Sequence, residues 1–250
     1  MIKLDPSSRV HSCEQGRIMA HCCIDFDTMK AMSELNADST MCDVLIVLSR
    51  AKEVSSSTLR RAEKSSLNEL HALVRYPLEQ ESSSKRRKKP KLKRIQSNSE
   101  KIFVLIQAVL GSLEIKDPAL RQEGQHIMAA LGRVLSGLAM SLIDKQHYSP
   151  LKCALQLQQS VAQKVWFDSQ HLVRQLEGIG QKFSSLLTGV GLGTFEAIQQ
   201  AAPYRIETVL SRRPPFGSKV KESLAKIWPE FRLTATVKGR TLTVVAEPHN

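Results

Sequence analysis

Apolar residues recur at three- and four-residue steps through most of the first 170 positions, and this periodicity restricts the fold more than any other feature. It is the pattern of amphipathic α-helices that bury one side. We predict helices over residues 17–35, 41–51, 57–74, 99–111, 117–144 and 151–167. In the longest, Pro118 follows Asp117, and the fixed φ of proline suits the first helical turn. Residues 17–170 are therefore predicted to form a bundle of about six helices.

Smaller elements are predicted after residue 170. Short helical segments separated by glycine turns span residues 171–228. Two alternating runs, FRLTATV and RTLTVV, flank Lys238 and Gly239, which predicts a β-hairpin with a two-residue turn. A lone hairpin is marginal in water, so we expect residues 229–250 to be a truncated β segment. The predicted fold class is mainly α: a helical bundle, a helix-hairpin-helix unit and a short C-terminal β-hairpin stub.

Positive charge is concentrated in one segment of the chain. Lys and Arg outnumber Asp and Glu by 36 to 24, a formal net charge of +12. Residues 77–98, with two prolines and a serine triplet, predict a disordered loop. Eight of the 36 cations lie in that loop: Lys85, Arg86, Arg87, Lys88, Lys89, Lys91, Lys93 and Arg94. Their density predicts a nuclear-localisation signal, with a nonspecific nucleic-acid arm or an inert solvated loop as alternatives.

Several protein classes are disfavoured by missing patterns. Five cysteines without paired spacing predict reduced thiols and neither a disulfide framework nor a metal site. Residues 127–143 approach the length of a membrane span but carry Arg133 at their middle, which predicts a buried core helix and no membrane partner. No P-loop, metalloprotease motif or nucleophile elbow occurs in the 250 residues. Autonomous catalysis by this chain is therefore disfavoured.

The sequence LEGIG at 176–180 carries the sharpest local signal for binding. A glycine–hydrophobic–glycine turn between helices lets the backbone come close to a phosphate, and the amides that open the second helix then point at the anion. Such contacts hold a nucleic-acid backbone without reading its sequence. The candidate binding residues are Gly178, Ile179, Gly180, Gln181 and Lys182. The alternative is a tight turn between helices that binds nothing.

Longer segments carry a resemblance to a known family. The sequence RIETVLSRRPPFGSKVKE at 205–222, preceded by LEGIG and by GLGTFEAI at 191–198, resembles the C-terminal Sec-homology region of superfamily-two helicases. It is most similar to the meiotic crossover helicases of the HFM type. Further matches are GRIMA at 16–20, DFDTMK at 25–30 and EKIFVLIQA at 100–108. The resemblance covers residues from about 9 to 228.

The resemblance implies a place for this chain in a larger machine. The parent would carry two RecA-like domains, which bind ATP and magnesium, and a winged helix of which residues 1–16 are the end; this chain itself would need no cofactor. Residues 117–144 match the ratchet helix that lines the channel of the translocating strand, so Arg121 and Arg133 would contact that strand. A capping role for Arg121 and a paired or snorkelled Arg133 are the alternatives.

The function implied by the resemblance is that of a nucleic-acid-binding C-terminal module. It would serve an ATP-dependent 3′-to-5′ DNA helicase in meiotic homologous recombination and crossover formation, in the nucleus. Expected partners are single-stranded or branched DNA, the upstream domains of the parent and recombination proteins. The alternative is a protein-interaction platform of a helicase-like nuclear protein without its own grip on DNA.

Overall fold

The computed structural model describes residues 2–4, 10–55, 57–79, 92–228 and 231–248. The chain divides into two compact units, Met1–Phe167 and Asp168–Asn250. The described residues form eleven α-helices and two small antiparallel pairs of strands. The predicted mainly α class is therefore confirmed.

The first unit opens with a short antiparallel pair of strands, which the sequence analysis did not anticipate. These strands are β1 (Ile2–Leu4) and β2 (Val10–Ser12). Seven helices follow within the described part of this unit: α1 (Glu14–Cys22), α2 (Phe26–Met32), α3 (Met41–Ser49), α4 (Lys64–His71), α5 (Asn98–Leu110), α6 (Pro118–Asp144) and α7 (Tyr148–Gln163).

Helix α5 forms the centre of the bundle. Ser97 and Glu100 make a reciprocal capping box at its start, and every residue from Lys101 to Leu110 is buried. Helix α6 packs against α1, α5 and α7. It begins at Pro118, with the Asp117 carboxylate accepting a hydrogen bond from the Ala119 amide at 2.8 Å, as the Asp–Pro pattern predicts.

Helix α6 is long and apolar enough, by length and composition alone, to cross a membrane. Over half of its most apolar window is buried inside the protein, as in the core helix of a soluble bundle. Its buried residues include Leu131, Val134, Leu135 and Leu138, which join the core shared with α5.

Three predicted helix boundaries are wrong. The stripe over 17–35 is two helices, because Cys23 adopts a left-handed conformation (φ 48°) and Asp25 caps α2. The segment from Ser57 is irregular until a 3-10 turn at Arg61–Glu63 leads into α4. Helix α7 begins at Tyr148, three residues earlier than predicted, and ends at Gln163 because Lys164 is left-handed (φ 54°).

A buried ion-pair network explains the irregular segment. The ammonium group of Lys101, which is fully buried, contacts Glu63 at 2.7 Å and Glu123 at 2.6 Å and donates to the Thr58 carbonyl at 2.9 Å. Ser57 donates a further hydrogen bond to Glu123 at 2.6 Å. Burial by itself would raise the pKa of Glu123, but the hydrogen bonds from Lys101 and Ser57 bring that pKa below its ordinary value. Satisfying this lysine holds residues 57–60 in an irregular path that leads into the 3-10 turn at Arg61–Glu63.

The ends of the predicted basic loop are ordered. Residues 80–91, which contain Lys85, Arg86, Arg87, Lys88, Lys89 and Lys91 of the predicted nuclear-localisation signal, lie outside the described residues. Glu79 pairs with Leu92 in an antiparallel bridge, and Lys93 forms an ion pair with Glu100 at 2.7 Å. Ile95 is buried in the core. The prediction of a disordered loop over residues 77–98 is therefore wrong for residues 77–79 and 92–98.

The described residues of the second unit form four short helices and a hairpin. After a 3-10 turn at Leu172–Gln175 come α8 (Gln181–Gly189), α9 (Phe195–Gln200), α10 (Pro203–Leu210) and α11 (Phe216–Ile227). Their shared core contains Val173, Leu176, Ile179, Leu187, Leu192, Ile198, Ile206, Leu210, Val220 and Leu224. Gly217 is tightly enclosed, since a Cβ there would overlap the Pro203 carbonyl.

The C-terminal hairpin pairs β3 (Phe231–Lys238) with β4 (Thr241–Pro248). Lys238 pairs with Thr241, so the turn is Gly239–Arg240 and not Lys238–Gly239 as predicted. Gly239 takes φ 61°, which suits a residue without a side chain in a tight hairpin turn. Every strand residue is exposed, and alternation places the apolar ones mostly on one face.

Candidate nucleic-acid interface

The LEGIG turn leads from the 3-10 turn into α8 and is anchored by its apolar residues. Leu176 and Ile179 are buried, and the Ile179 amide donates to the Leu176 carbonyl at 3.1 Å. The Glu177 amide donates to the Ser223 hydroxyl at 3.0 Å, which ties the turn to α11. Gly178 and Gly180 are exposed between these fixed points. The bend therefore faces solvent.

The two glycines have different physical roles. Gly178 has φ +78°, and a Cβ there would lie 3.2 Å from the Phe216 ring, so both conformation and space call for glycine. Gly180 is extended (φ −84°, ψ −177°) and no heavy atom lies within 4 Å of its Cβ position. As the N-cap of α8 it supplies no side-chain acceptor to the amides of the first turn. We call this end of the helix, which lacks a side-chain cap, the open end of α8.

The first turn of α8 presents polar residues outward and packs the rest inward. Gln181 and Lys182 are exposed, Phe183 is half-buried and Ser184 is buried. The Ser184 hydroxyl lies 3.2 Å from Nδ1 of His171, which gives this buried polar group a partner. Lys182 thus stands beside the open end of the helix, where its charge adds to the positive end of the helix dipole.

Arg212 also belongs to this surface, although sequence reasoning did not assign it a role. Its guanidinium carbon lies 5.0 Å from the centroid of the Phe183 ring and 5.9 Å from that of Phe216. The two rings meet edge to face at 6.3 Å. The signal in the sequence was the run RRPPFG, but nothing in it reveals that Phe183, 29 residues earlier, shares the same face.

The second glycine turn, before α9, is closed to an external anion. Gly191 has φ +80°, and a Cβ on Gly193 would lie 2.7 Å from the Gln170 carbonyl. The Thr194 hydroxyl already caps α9 by accepting from the Ala197 amide at 3.2 Å. Of the two turns, only the LEGIG turn leaves its helix without a side-chain cap.

The two arginines predicted on α6 do not share one face. The guanidinium of Arg121 donates twice to the Ile115 carbonyl, at 3.3 and 2.8 Å, and so fixes the loop before the helix. Arg133 is exposed at the middle of the helix and makes no ion pair with any residue of the described part of the chain. Twelve residues separate them, which is about 120° around the helix.

Charge is distributed unevenly between the two units. Residues 1–167 carry 25 Lys and Arg, eight of them in the basic decapeptide, against 17 Asp and Glu. Residues 168–250 carry 11 Lys and Arg against 7 Asp and Glu. Outside the decapeptide, the positive excess of the chain therefore lies entirely in the unit that contains the open end of α8.

No metal site accompanies this surface. Among the described residues, no group of three or more His, Cys, Asp or Glu side chains could hold a metal ion. The five cysteines are all free thiols. What the surface offers is hydrogen-bond donors and positive charge, which suit a phosphate or another anion.

Comparison with known proteins places these features in a family. The model of the Sec63 Brl domain matches residues 12–246. The ATP-dependent DNA helicase homolog MER3 of Arabidopsis thaliana is 33% identical over 221 residues, which cover 88% of this chain and 19% of the relative. The probable ATP-dependent DNA helicase HFM1 of Homo sapiens is 30% identical over 253 residues, 99% of this chain and 17% of the relative. The chain thus spans less than a fifth of the length of these relatives.

Proposed function

Because the chain belongs to the Sec63 Brl domain family, we propose that it is the nucleic-acid-binding C-terminal module of an ATP-dependent 3′-to-5′ DNA helicase acting in meiotic homologous recombination and crossover formation. The match to that family and to the MER3 and HFM1 helicases confirms the resemblance stated from the sequence. The activity, strand polarity and biological setting belong to the proposal, since the relatives are several times longer than this chain.

The observation that carries the proposal is the open N-terminus of α8. The LEGIG turn is exposed, Gly180 leaves the first-turn amides without a side-chain cap, and Lys182 stands beside them. A phosphate there gains hydrogen bonds from backbone amides and favourable interaction with the helix dipole. Because these amides would contact the phosphate and not the bases, they would hold a strand of any base sequence, as a translocating helicase requires.

Helix α6 would contribute a second, separate contact. Arg133 is exposed and unpaired by any carboxylate of the described residues, which leaves its guanidinium able to bind a strand that runs along the helix. Arg121 has only one terminal nitrogen outside its two hydrogen bonds to Ile115. We expect Arg133 to contribute more to strand binding than Arg121.

Other parts of the parent protein would supply what this chain lacks. The 250 residues contain no P-loop, so ATP and magnesium would bind to RecA-like domains elsewhere in the parent.

We assign the protein to the nucleus on the basis of the decapeptide 85–94. Deleting residues 85–94 should abolish nuclear accumulation of a fluorescent fusion, and unchanged import would contradict that assignment.

The test of the DNA-binding role is the salt dependence of affinity. A labelled oligonucleotide of about 20 thymidines should bind the 250-residue chain with a log–log salt slope of about −1.5 to −2, for two to three phosphates contacted on a single strand. Lys182→Glu should weaken binding roughly tenfold and flatten the slope. Lys226→Glu, with the same charge change at the far end of α11, is the matched control. Equal affinity of wild type and Lys182→Glu would refute the hairpin contact.

A second candidate function, protein interaction, is favoured by the C-terminal hairpin. Phe231, Leu233 and Val237 of β3 and Leu242 and Val244 of β4 are each more than half exposed on one face. Exposed apolar faces of this kind are typical of protein–protein contacts. DNA binding that is absent, or that ignores Lys182→Glu, would favour this candidate over the first.

A further inference from the structure

Arg212 is exposed, yet it is held in one place by two aromatic rings. Its guanidinium lies over Phe183 and Phe216, at 5.0 and 5.9 Å from their centroids. The Phe183 ring projects from the first turn of α8, and the Phe216 ring begins α11. Contact with both rings leaves the Arg212 side chain far less conformational freedom than an ordinary surface arginine has.

The fold does not neutralise this charge. Arg212 makes no ion pair within the described part of the chain. The nearest carboxylate along α10, Glu207, is buried and instead accepts a hydrogen bond from the Gly217 amide at 2.9 Å. The fold therefore orients a guanidinium while engaging Glu207, the carboxylate of α10, with a backbone amide.

The stack adjoins the open end of α8. The Phe216 ring lies 3.2 Å from where a Cβ of Gly178 would be, so one of its edges closes the side of the turn. Phe183 immediately follows Lys182 in the first turn of the helix. Arg212 thus stands on the same part of the second unit as the uncapped amides and Lys182.

We propose that Arg212 binds a phosphodiester group of the strand held at the LEGIG turn. A guanidinium stacked on rings leaves its N–H edge free, and that edge matches two oxygens of a phosphate in a bidentate contact. Because stacking fixes the plane in advance, little side-chain freedom is lost when the strand binds. This inference rests on the proposed DNA-binding function and adds a residue from outside the turn to it.

The test compares substitutions at Arg212 with a charge-matched control. Binding of the labelled thymidine oligonucleotide to the 250-residue chain would be measured for Arg212→Ala, Arg212→Lys and Lys226→Ala. Lys226 is an exposed cation in the last turn of α11, about 15 Å along the helix from Phe216. We expect Arg212→Ala to lose roughly tenfold in affinity and to make the log–log salt slope less steep by about 0.7. Lys226→Ala should lose less than threefold.

Arg212→Lys decides whether the planar stack matters. Lysine keeps the charge and the aliphatic stem, which preserves the fold, but it has neither the planar group nor the fork of donors. We expect it to recover less than half of the loss on a logarithmic scale, with thermal unfolding of all variants within a few degrees of wild type. Full recovery by Arg212→Lys would overturn the proposal.

The outcomes separate this inference from the function on which it rests. If Arg212→Ala and Lys226→Ala lose affinity equally while Lys182→Glu still weakens binding roughly tenfold, Arg212 is not a phosphate ligand and the hairpin contact stands. If the wild-type chain fails to bind the oligonucleotide, both the proposed function and the role of Arg212 are overturned.

Discussion

Gly180 allows DNA binding to be separated from folding. Its backbone is extended, and the Cβ position has no heavy atom within 4 Å, so a side chain is accommodated without repacking. Aspartate and asparagine are favoured at helix N-caps because their side-chain oxygen accepts from the amides of the first turn. Gly180→Asp and Gly180→Asn should therefore leave α8 intact and stabilise it by roughly 0.2–0.5 kcal/mol.

The same substitutions should weaken DNA binding, by amounts that differ through charge alone. Both side chains occupy amides that a phosphate would use, and only aspartate adds a negative charge about 4–5 Å from that phosphate. At this exposed site the repulsion is about 1–2 kcal/mol. That energy corresponds to about a 5- to 30-fold difference in Kd between the two variants. The expected order of affinity is wild type, then Gly180→Asn, then Gly180→Asp.

Fluorescence anisotropy of the labelled oligonucleotide at about 50 and about 300 mM salt would measure this order, with thermal unfolding recorded on the same samples. The gap between the aspartate and asparagine variants should narrow at the higher salt, because the repulsion is screened. Three equal affinities at low salt, with three intact folds, would mean that no phosphate lies at the first turn of α8.

Three further predictions concern the stability of the fold. Lys101→Met leaves two carboxylates without their buried cation and should cost about 3–5 kcal/mol in chemical unfolding, whereas Lys116→Met on the surface should change stability by less than about 0.5 kcal/mol. Gly217→Ala forces a methyl group into the Pro203 carbonyl and should cost about 1–3 kcal/mol, visible in the melting of the second unit. Burial lowers the pKa of His71, with an opposing contribution from a nearby carboxylate, so the unfolded chain takes up a proton before the native one does. The stability that neutral His71 contributes should be fully present above pH 6.5, the ordinary pKa of histidine, and should fall as the pH drops below that value. Melting temperatures measured between pH 7.5 and 5.5 would show this.

Each of these has a clear contrary result. If Lys101→Met and Lys116→Met lowered the free energy of unfolding equally, the buried network would contribute no more to stability than a surface charge does. A Gly217→Ala protein with wild-type melting would show that α10 and α11 can shift enough to admit the methyl group at little cost in stability. A pH profile unchanged by His71→Gln, which retains an acceptor for the Leu78 amide, would show that His71 is not the titrating group.

Elements that depend on local signals were predictable from the sequence. Helix α6 begins and ends where the Asp117–Pro118 pair and the apolar periodicity indicate, and the LEGIG turn has the positive φ that its first glycine suggests. Such features are set by neighbours in the chain, through capping, fixed φ or the freedom of glycine. They need no knowledge of tertiary packing.

Features that arise from distant residues were not predictable. The irregular path of residues 57–60, before the 3-10 turn, follows from the need to satisfy Lys101, which lies 38 residues beyond Glu63. The helix break at Cys23 overrides a continuous apolar stripe. The Arg212 stack depends on two phenylalanines brought together by the packing of α8 and α11. In each case tertiary contacts outweigh the local pattern.

The bridge between Glu79 and Leu92 has a practical consequence for the bundle. Paired residues in an antiparallel bridge have Cα atoms about 5 Å apart, so a short tight turn suffices to join them. On the inner side, Gln107 of the central helix bonds both the amide and the carbonyl of Tyr76, which secures the incoming chain independently of whatever joins the two ends. Residues 80–91, which contain six of the eight cations of the predicted nuclear-localisation signal, should therefore be replaceable by a short turn while the helices beneath keep their packing.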